Sequence, residues 1–273
     1  MKKTPILLLP AIAVTALLAA GAHAQTAPAA AASAPEPTPS PLTANINLTT
    51  KYKFRGQDQG NTNWFSPAIQ GGFDWSQNGF YLGNWNSNVS FSNASIEMDF
   101  YGGYKGEIIK DKLGYDVGVL QYYYPQKDKT IDFNVTELYG ALSYDWLSFK
   151  TSWTVSKDYF GIGETFYKGV PLLNQPKGRN TLYFDLSANY PLVDKLTLNA
   201  HVGYTRYASD LRDVRDGAGV GIGVPNYTDY KLGVTYDLGS GFSAAGAIVG
   251  ATKKDYYHDI NKARAIFTIS KVM

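Results

Sequence analysis

From Ala44 onward apolar and polar residues alternate with a period of two, the spacing at which successive side chains of a strand point to opposite faces. In the first segment Ala44, Ile46, Leu48, Thr50, Tyr52 and Phe54 share one parity. Asn45, Asn47, Thr49, Lys51, Lys53 and Arg55 share the other, and no charge falls on the apolar side. The separation recurs at 95–105, where Ile96, Met98, Phe100 and Tyr104 oppose Glu97, Asp99, Tyr101 and Lys105, and again over 181–190, 196–205 and 229–238. Weaker alternation over 64–75, 80–86, 113–124, 135–145, 147–156, 242–252 and 262–272 completes a set of twelve predicted strands.

The gaps between these segments alternate in length. Those at 76–79, 106–112, 145–146, 191–195 and 239–241 are short, whereas 157–179 and 208–226 are long. This predicts an all-β chain, a transmembrane antiparallel up-and-down barrel with periplasmic turns, longer outer loops and both termini in the periplasm. Twelve strands about 4.8 Å apart and tilted near 40° close into a cylinder roughly 24 Å across, wider than strand side chains can fill. An apolar lining around such a void is unstable in water. The apolar parity is therefore expected against outer-membrane lipid and the charged parity around a wet lumen. A soluble periplasmic β-sandwich has the same period and is the competing reading.

Aromatic residues near segment ends fit two interfacial girdles. Trp75 and Trp146 fall on the periplasmic side and Trp85 on the outer side, while Tyr52, Phe54, Tyr104, Tyr144, Tyr190 and Tyr236 occupy the outward parity. Trp64 has the wrong parity and is assigned to a loop.

Residues 1–24 carry Lys2 and Lys3, an apolar run and a closing Ala22-His23-Ala24, the features of a cleaved signal peptide. Residues 25–43 are rich in Ala, Pro, Ser and Thr and read as a disordered periplasmic linker before a single barrel domain at 44–273. Without Lys2 and Lys3 the 25 basic residues fall to 23, equal to the 23 acidic ones. This balance argues against nucleic acid as a partner, and the lack of cysteine excludes disulfides and thiolate-bound zinc.

No catalytic group assembles. Past the signal, histidine occurs at 201 and 258. His201 sits mid-strand on the polar parity, and His258 lies in an outer loop with Asp255 and Asp259 too sparse for a metal site. The run GAGVGIGVP at 217–225 lacks the spacing and the strand–loop–helix setting of a nucleotide loop and is read as an outer loop. The sequence thus predicts neither an enzyme nor a cofactor.

The stretches ANINLTTKYKFRGQDQG (44–60), SPAIQGGFDW (66–75), GFYLGNWNSNV (79–89), IEMDFYGGYKGEI (96–108), LGYDVGVLQYYYP (113–125) and ELYGALSYDWLSFKTSWT (137–154) resemble the TorF-type porin family of proteobacteria, also called the Gcw_chp family. The resemblance implies an outer-membrane barrel with channel activity and supplies no catalytic or ligand residues.

The function expected is a porin-like channel for passive diffusion of small hydrophilic solutes or ions. The alternative is a non-conducting structural or surface-binding barrel plugged by 157–179 or 208–226. Partners are outer-membrane lipid, the insertion machinery during biogenesis and the solutes themselves. The last strand, KARAIFTISKVM, ends at Met273 where such barrels usually present an aromatic residue to that machinery. The candidate pore-lining residues are Lys51, Lys53, Arg55, Glu97, Asp99, Asp116, Glu137, Lys150, Asp185, His201, Lys231 and Arg264. Closing the barrel should bring Arg264 beside Lys51, Lys53 and Arg55 on one wall, opposite an acidic wall of Glu97, Asp99, Asp116 and Glu137. The resulting transverse field would filter solutes.

Overall fold

The structure, a computed structural model, describes residues 40–91, 94–125, 131–165, 167, 169–173 and 175–273. The expected signal peptide and most of the linker lie outside these residues. In chain order the strands are β1 (Leu42–Thr49), β2 (Lys53–Phe54), β3 (Gln57–Asp58), β4 (Ala68–Gln77), β5 (Phe80–Phe91), β6 (Ala94–Ile109) and β7 (Leu113–Tyr123). They continue with β8 (Val135–Tyr144), β9 (Leu147–Thr154), β10 (Leu182–Val193), β11 (Leu196–Arg206), β12 (Tyr227–Gly239), β13 (Phe242–Ala251) and β14 (Arg264–Val272). All but β2 and β3 form one closed antiparallel barrel of twelve strands, in which β1 pairs with both β4 and β14.

Closure leaves no strand edge unpaired, the condition lipid imposes on backbone polar groups. The apolar parity faces out. Leu142 lies opposite Phe149, Phe149 opposite Leu186, and Leu186 opposite Val202, forming an exposed apolar row across four strands. Leu48, Phe100, Leu186 and Val234 are 57, 45, 51 and 40% exposed, so none converges on a dry centre. An apolar band of this extent is the exterior of a membrane-spanning barrel and rules out the sandwich.

Each of the five short connections turns on residues with positive φ: Asn78–Gly79, Asp111, Asp145, Lys195, and Gly239–Ser240–Gly241. Left-handed residues of this kind match a tight turn to the right-handed twist of paired strands. At this end Tyr104, Tyr144, Trp146, Tyr190 and Tyr236 project outward as expected, with the Trp146 and Tyr190 rings 5.5 Å apart.

β5 alternates weakly because Asn84, Asn86 and Asn88 occupy its outward parity. Their side chains bond locally: the Asn86 amide donates to Asn84 (2.6 Å), and Asn88 accepts the Ile69 N–H (2.7 Å). The strand also runs on to Phe91, so Trp85 is not a girdle residue at a strand end. It lies mid-strand on the inner parity and is 8% exposed.

The largest departure follows Thr49. The alternation expected to carry the first strand to Arg55 is broken there, and residues 50–67 leave the wall as a strap whose first part, 51–58, turns into the barrel while 61–65 stay exposed. Within it β2 pairs with β3 around a turn at Arg55 (φ 47°) and Gly56 (φ 75°). Tyr52 and Phe54, expected against lipid, are 3 and 7% exposed inside the lumen. The physical reason is that Lys51, Lys53 and Arg55 alternate with the rings. An inward hairpin lets all five side chains find partners, whereas a continued wall strand would commit both rings to lipid. Gly56 meets the wall at β12 and β13: a Cβ there would sit 2.6 Å from the Asp229 Cβ and 2.7 Å from the Gly250 carbonyl oxygen.

The strap fills the long-loop half of the lumen. Phe54 packs edge-on against Tyr122 (5.4 Å) and Phe160 (5.3 Å), and Tyr159 against Tyr207 (5.6 Å). Leu211 and Val224, from the 207–226 connection, are also buried. Strand side chains alone could not span this width, and loop segments do so instead. Toward the short turns the inner face is small and polar on one side, with half-buried Asn45, Ser148, Ser187, Asn189 and Thr235, and carries the buried Tyr81, Tyr101 and Tyr139 on β5, β6 and β8.

Two outcomes follow. Leu186→Arg, placed on the lipid face, costs about 2–4 kcal/mol, measured by reversible denaturant unfolding in lipid vesicles. Gly56→Ala forces a β-carbon into the wall at positive φ and costs about 1–3 kcal/mol; faster protease cleavage within 50–67 reads the loosened strap.

Candidate functional site

At the centre of the strap the Arg55 guanidinium crosses the lumen to β8. Its Nη1 and Nη2 donate to Glu137 Oε1 and Oε2 at 3.0 and 2.7 Å, a bidentate fork. Nη1 also donates to the Tyr159 hydroxyl at 2.7 Å, and Cζ lies 4.1 Å from the Tyr183 ring centroid and 4.8 Å from that of Phe54. Arg55 and Glu137 side chains are 3 and 1% exposed. Burial pushes the Tyr159 phenol up to about 12, so it keeps its proton beside the guanidinium.

A second cluster holds the hairpin to the opposite wall. Asp58 receives Lys53 Nζ at 2.8 Å, Lys51 Nζ at 3.3 Å and Arg264 Nε at 3.9 Å. Lys51 also donates to the Asn61 and Asn63 carbonyls, and Lys53 to those of Gly56 and Ile260. Burial pulls the Lys53 ammonium down to about 8, against the opposing pull of Asp58.

On β6, Glu97 accepts from the Tyr52 and Tyr124 hydroxyls, both at 2.9 Å. Asp99, two residues on and fully buried, has neither carboxylate oxygen hydrogen-bonded among the described residues. Below it Tyr81 donates to Asp116 (2.5 Å) and meets the Tyr139 hydroxyl. Gly118, between them on β7, makes this possible, since a Cβ there would lie 2.5 Å from the Tyr139 hydroxyl. Lys150 stands 4.2 Å over the Tyr139 ring.

Across β10–β12, His201 sits between two carboxylates, with Nδ1 3.1 Å from Asp185 and Nε2 2.7 Å from Asp229. Tyr183 reaches both His201 and Asp229 at 3.2 Å. Lys231 is the cross-strand neighbour of His201.

All twelve candidate residues therefore lie inside the barrel, yet two expectations about their arrangement change. Arg55, Lys51 and Lys53 do not stand on the wall, because the strap carries them into the lumen. The basic and acidic sides consequently meet through Arg55 and Glu137 instead of facing each other across water. Arg264 does lie beside Lys51 and Lys53, joined to them through Asp58. Sequence reasoning missed Asp58, Tyr159, Tyr183 and Asp229. Tyr183 had a signal, a ring on the polar parity of β10, and Asp58 follows the Arg55–Gly56 turn that marks a chain reversal. Tyr159 had none, since it comes from a long connection.

Comparison with solved structures gives the same architecture. A KdgM porin superposes with a TM-score of 0.50 at 8% identity, covering 84% of this chain and 98% of that one. A KdgM porin in complex with disordered oligogalacturonate gives 0.50 at 9% identity over the same shares. A NanC porin gives 0.50 at 12% identity, covering 85% and 98%. No curated protein matches the chain. The model of the Gcw_chp family, described as bacterial proteins of unknown function, matches residues 31–273, and the chain belongs to that family.

Proposed function

We propose that the protein is an outer-membrane porin of the TorF type, exported by a cleaved signal peptide, that passes small hydrophilic solutes or ions when the strap is displaced. The observation that carries this reading is the division of the barrel into a lipid-compatible exterior and an interior with candidate ionisable groups on eight of its twelve strands. Glu97 and Asp99 stand on β6, Asp116 on β7, Glu137 on β8, Lys150 on β9, Asp185 on β10, His201 on β11, Lys231 on β12 and Arg264 on β14. A barrel that only filled membrane would have no use for so many buried or half-buried inward charges. The KdgM porin in complex with oligogalacturonate supports the reading that a barrel of this architecture admits a solute. Lipid and the insertion machinery are the partners this location implies, and neither catalysis nor a cofactor is part of the proposal.

The packed rings around Phe54, Tyr122 and Phe160 favour the second reading, a barrel that stays plugged, with the strap rather than the longer loops as its plug. Planar-bilayer recording separates the two. Glu137→Ala strands the buried guanidinium and weakens strap docking by about 3–5 kcal/mol, which raises the open fraction roughly a hundredfold or more over wild type. Neutralising Lys51, Lys53 and Arg55 together shifts the reversal potential toward cation preference. Membranes that stay silent with wild type and both variants would establish the plugged barrel.

A further inference from the structure

The Arg55 cage has a property beyond fastening the strap: apart from Arg55 and Phe54, its members belong to the rest of the barrel. Glu137 is on β8, Tyr183 on β10 and Tyr159 in the connection after β9, so the cage does not leave with the strap. Its chemistry is that of a guanidinium receptor. It offers a carboxylate fork to a planar pair of N–H donors, a phenolic oxygen to a third donor, and a ring face 4.1 Å from the cationic carbon. A compact ammonium would satisfy the ring and one carboxylate oxygen but not the fork.

The neighbouring wall adds an independent sign. Glu97 and Asp99 lie close enough to feel each other electrostatically, Asp99 also feels Glu137, and the Asp99 carboxylate is fully buried without a hydrogen-bond partner among the described residues. The strap brings one cation, Arg55, to these three carboxylates, with Lys150 also in electrostatic reach of Glu137. When the strap swings away Glu137 loses both forked hydrogen bonds of its bidentate partner and keeps only the longer-range pull of Lys150. The emptied fork then favours a planar cation that can donate two parallel hydrogen bonds in place of Arg55.

We propose that the cage formed by Glu137, Tyr159 and Tyr183 is a binding site for the guanidinium group of a solute, which Arg55 occupies while the lumen is closed. Arg55 is then a tethered stand-in for the cargo: a guanidinium-bearing solute competes with the strap for the cage. The inference rests on the channel reading for its role in transport, but the site itself is a matter of binding.

The test is chemical rescue. Full-length protein is refolded as wild type, R55A and R55A/E137Q, and guanidinium chloride is added in the millimolar range at constant ionic strength. In R55A the added guanidinium refills the cage, raising the thermal unfolding midpoint in detergent and reducing the bilayer current saturably by at least half. Neither change occurs in R55A/E137Q, and sodium or methylammonium at equal concentration gives R55A less than a third of the response. R55Q, which keeps more of the side chain, carries the same test should R55A not refold. Equal midpoint shifts in R55A and R55A/E137Q, an equal response to methylammonium, or no shift in either protein overturns the site. A Glu137-dependent midpoint shift in proteins that pass no current upholds the site and removes the channel.

Discussion

An ionised side chain on this barrel has one place to go. The exterior is committed to lipid, where a charge near the mid-plane costs several kcal/mol, so away from the strand ends the Asp, Glu, Lys, Arg and His side chains turn inward, and Arg206 and Lys271 keep the outward parity only at the ends of β11 and β14. Period-two alternation does the sorting, and closure of β1 onto β14 makes it complete by leaving no edge to hide a polar group. A crowded interior follows, since groups that would be solvated singly are brought within a few ångströms of one another. They settle into local pairs: Arg55 with Glu137, Asp58 with Lys51 and Lys53, His201 with Asp185 and Asp229. The strap is the same rule applied to a loop, because its three cations have partners inside the barrel and none along the lipid face.

The two kinds of contact that hold the strap have different jobs. Ring packing around Phe54 removes apolar surface from water and is tolerant of small shifts, so it fixes depth but not register. The Arg55–Glu137 fork is directional, and two parallel hydrogen bonds to one carboxylate permit a single placement of the hairpin tip. Gly56 sets the limit from the other side, where the backbone lies too close to Asp229 and Gly250 for any side chain. Attraction toward β8 and contact with β12 and β13 thus fix the tip across the lumen.

Much of this was legible in the sequence, for a physical reason. Lipid is a uniform environment, and the outward parity answers it residue by residue, so Leu48, Phe100, Leu186 and Val234 could be placed without any tertiary knowledge. The short turns were equally plain, since Asn78–Gly79 and the Gly239–Ser240–Gly241 run name their own backbone conformation. The interior was not. An alternating stretch reads alike whether it continues a wall or turns into the lumen, so Lys51–Arg55 were extrapolated along β1. What decides between the two is Glu97 for Tyr52 and Glu137 for Arg55, partners 45 and 82 residues away that only the closed barrel brings near. Trp85 misled for a related reason, because outward asparagines on β5 hid the true parity of that strand.

The lumen is therefore asymmetric in a way that bears on how it opens. Its short-turn half has half-buried small polar residues on the β9–β12 side beside the buried Tyr81–Asp116–Tyr139 cluster, while its long-loop half is closed by rings and by ion pairs shielded from solvent. Salt screens exposed charges over about 8 Å at physiological strength but acts much less on buried pairs, so ionic strength alone is a poor key for this strap. Heat and general loosening are poor keys as well, because ring contacts and forked hydrogen bonds give way by different routes. A competitor for the Glu137 fork removes the directional contact and leaves the rings, which hold depth without register. That is the state from which an eighteen-residue strap (50–67) can move aside while the barrel wall keeps its shape.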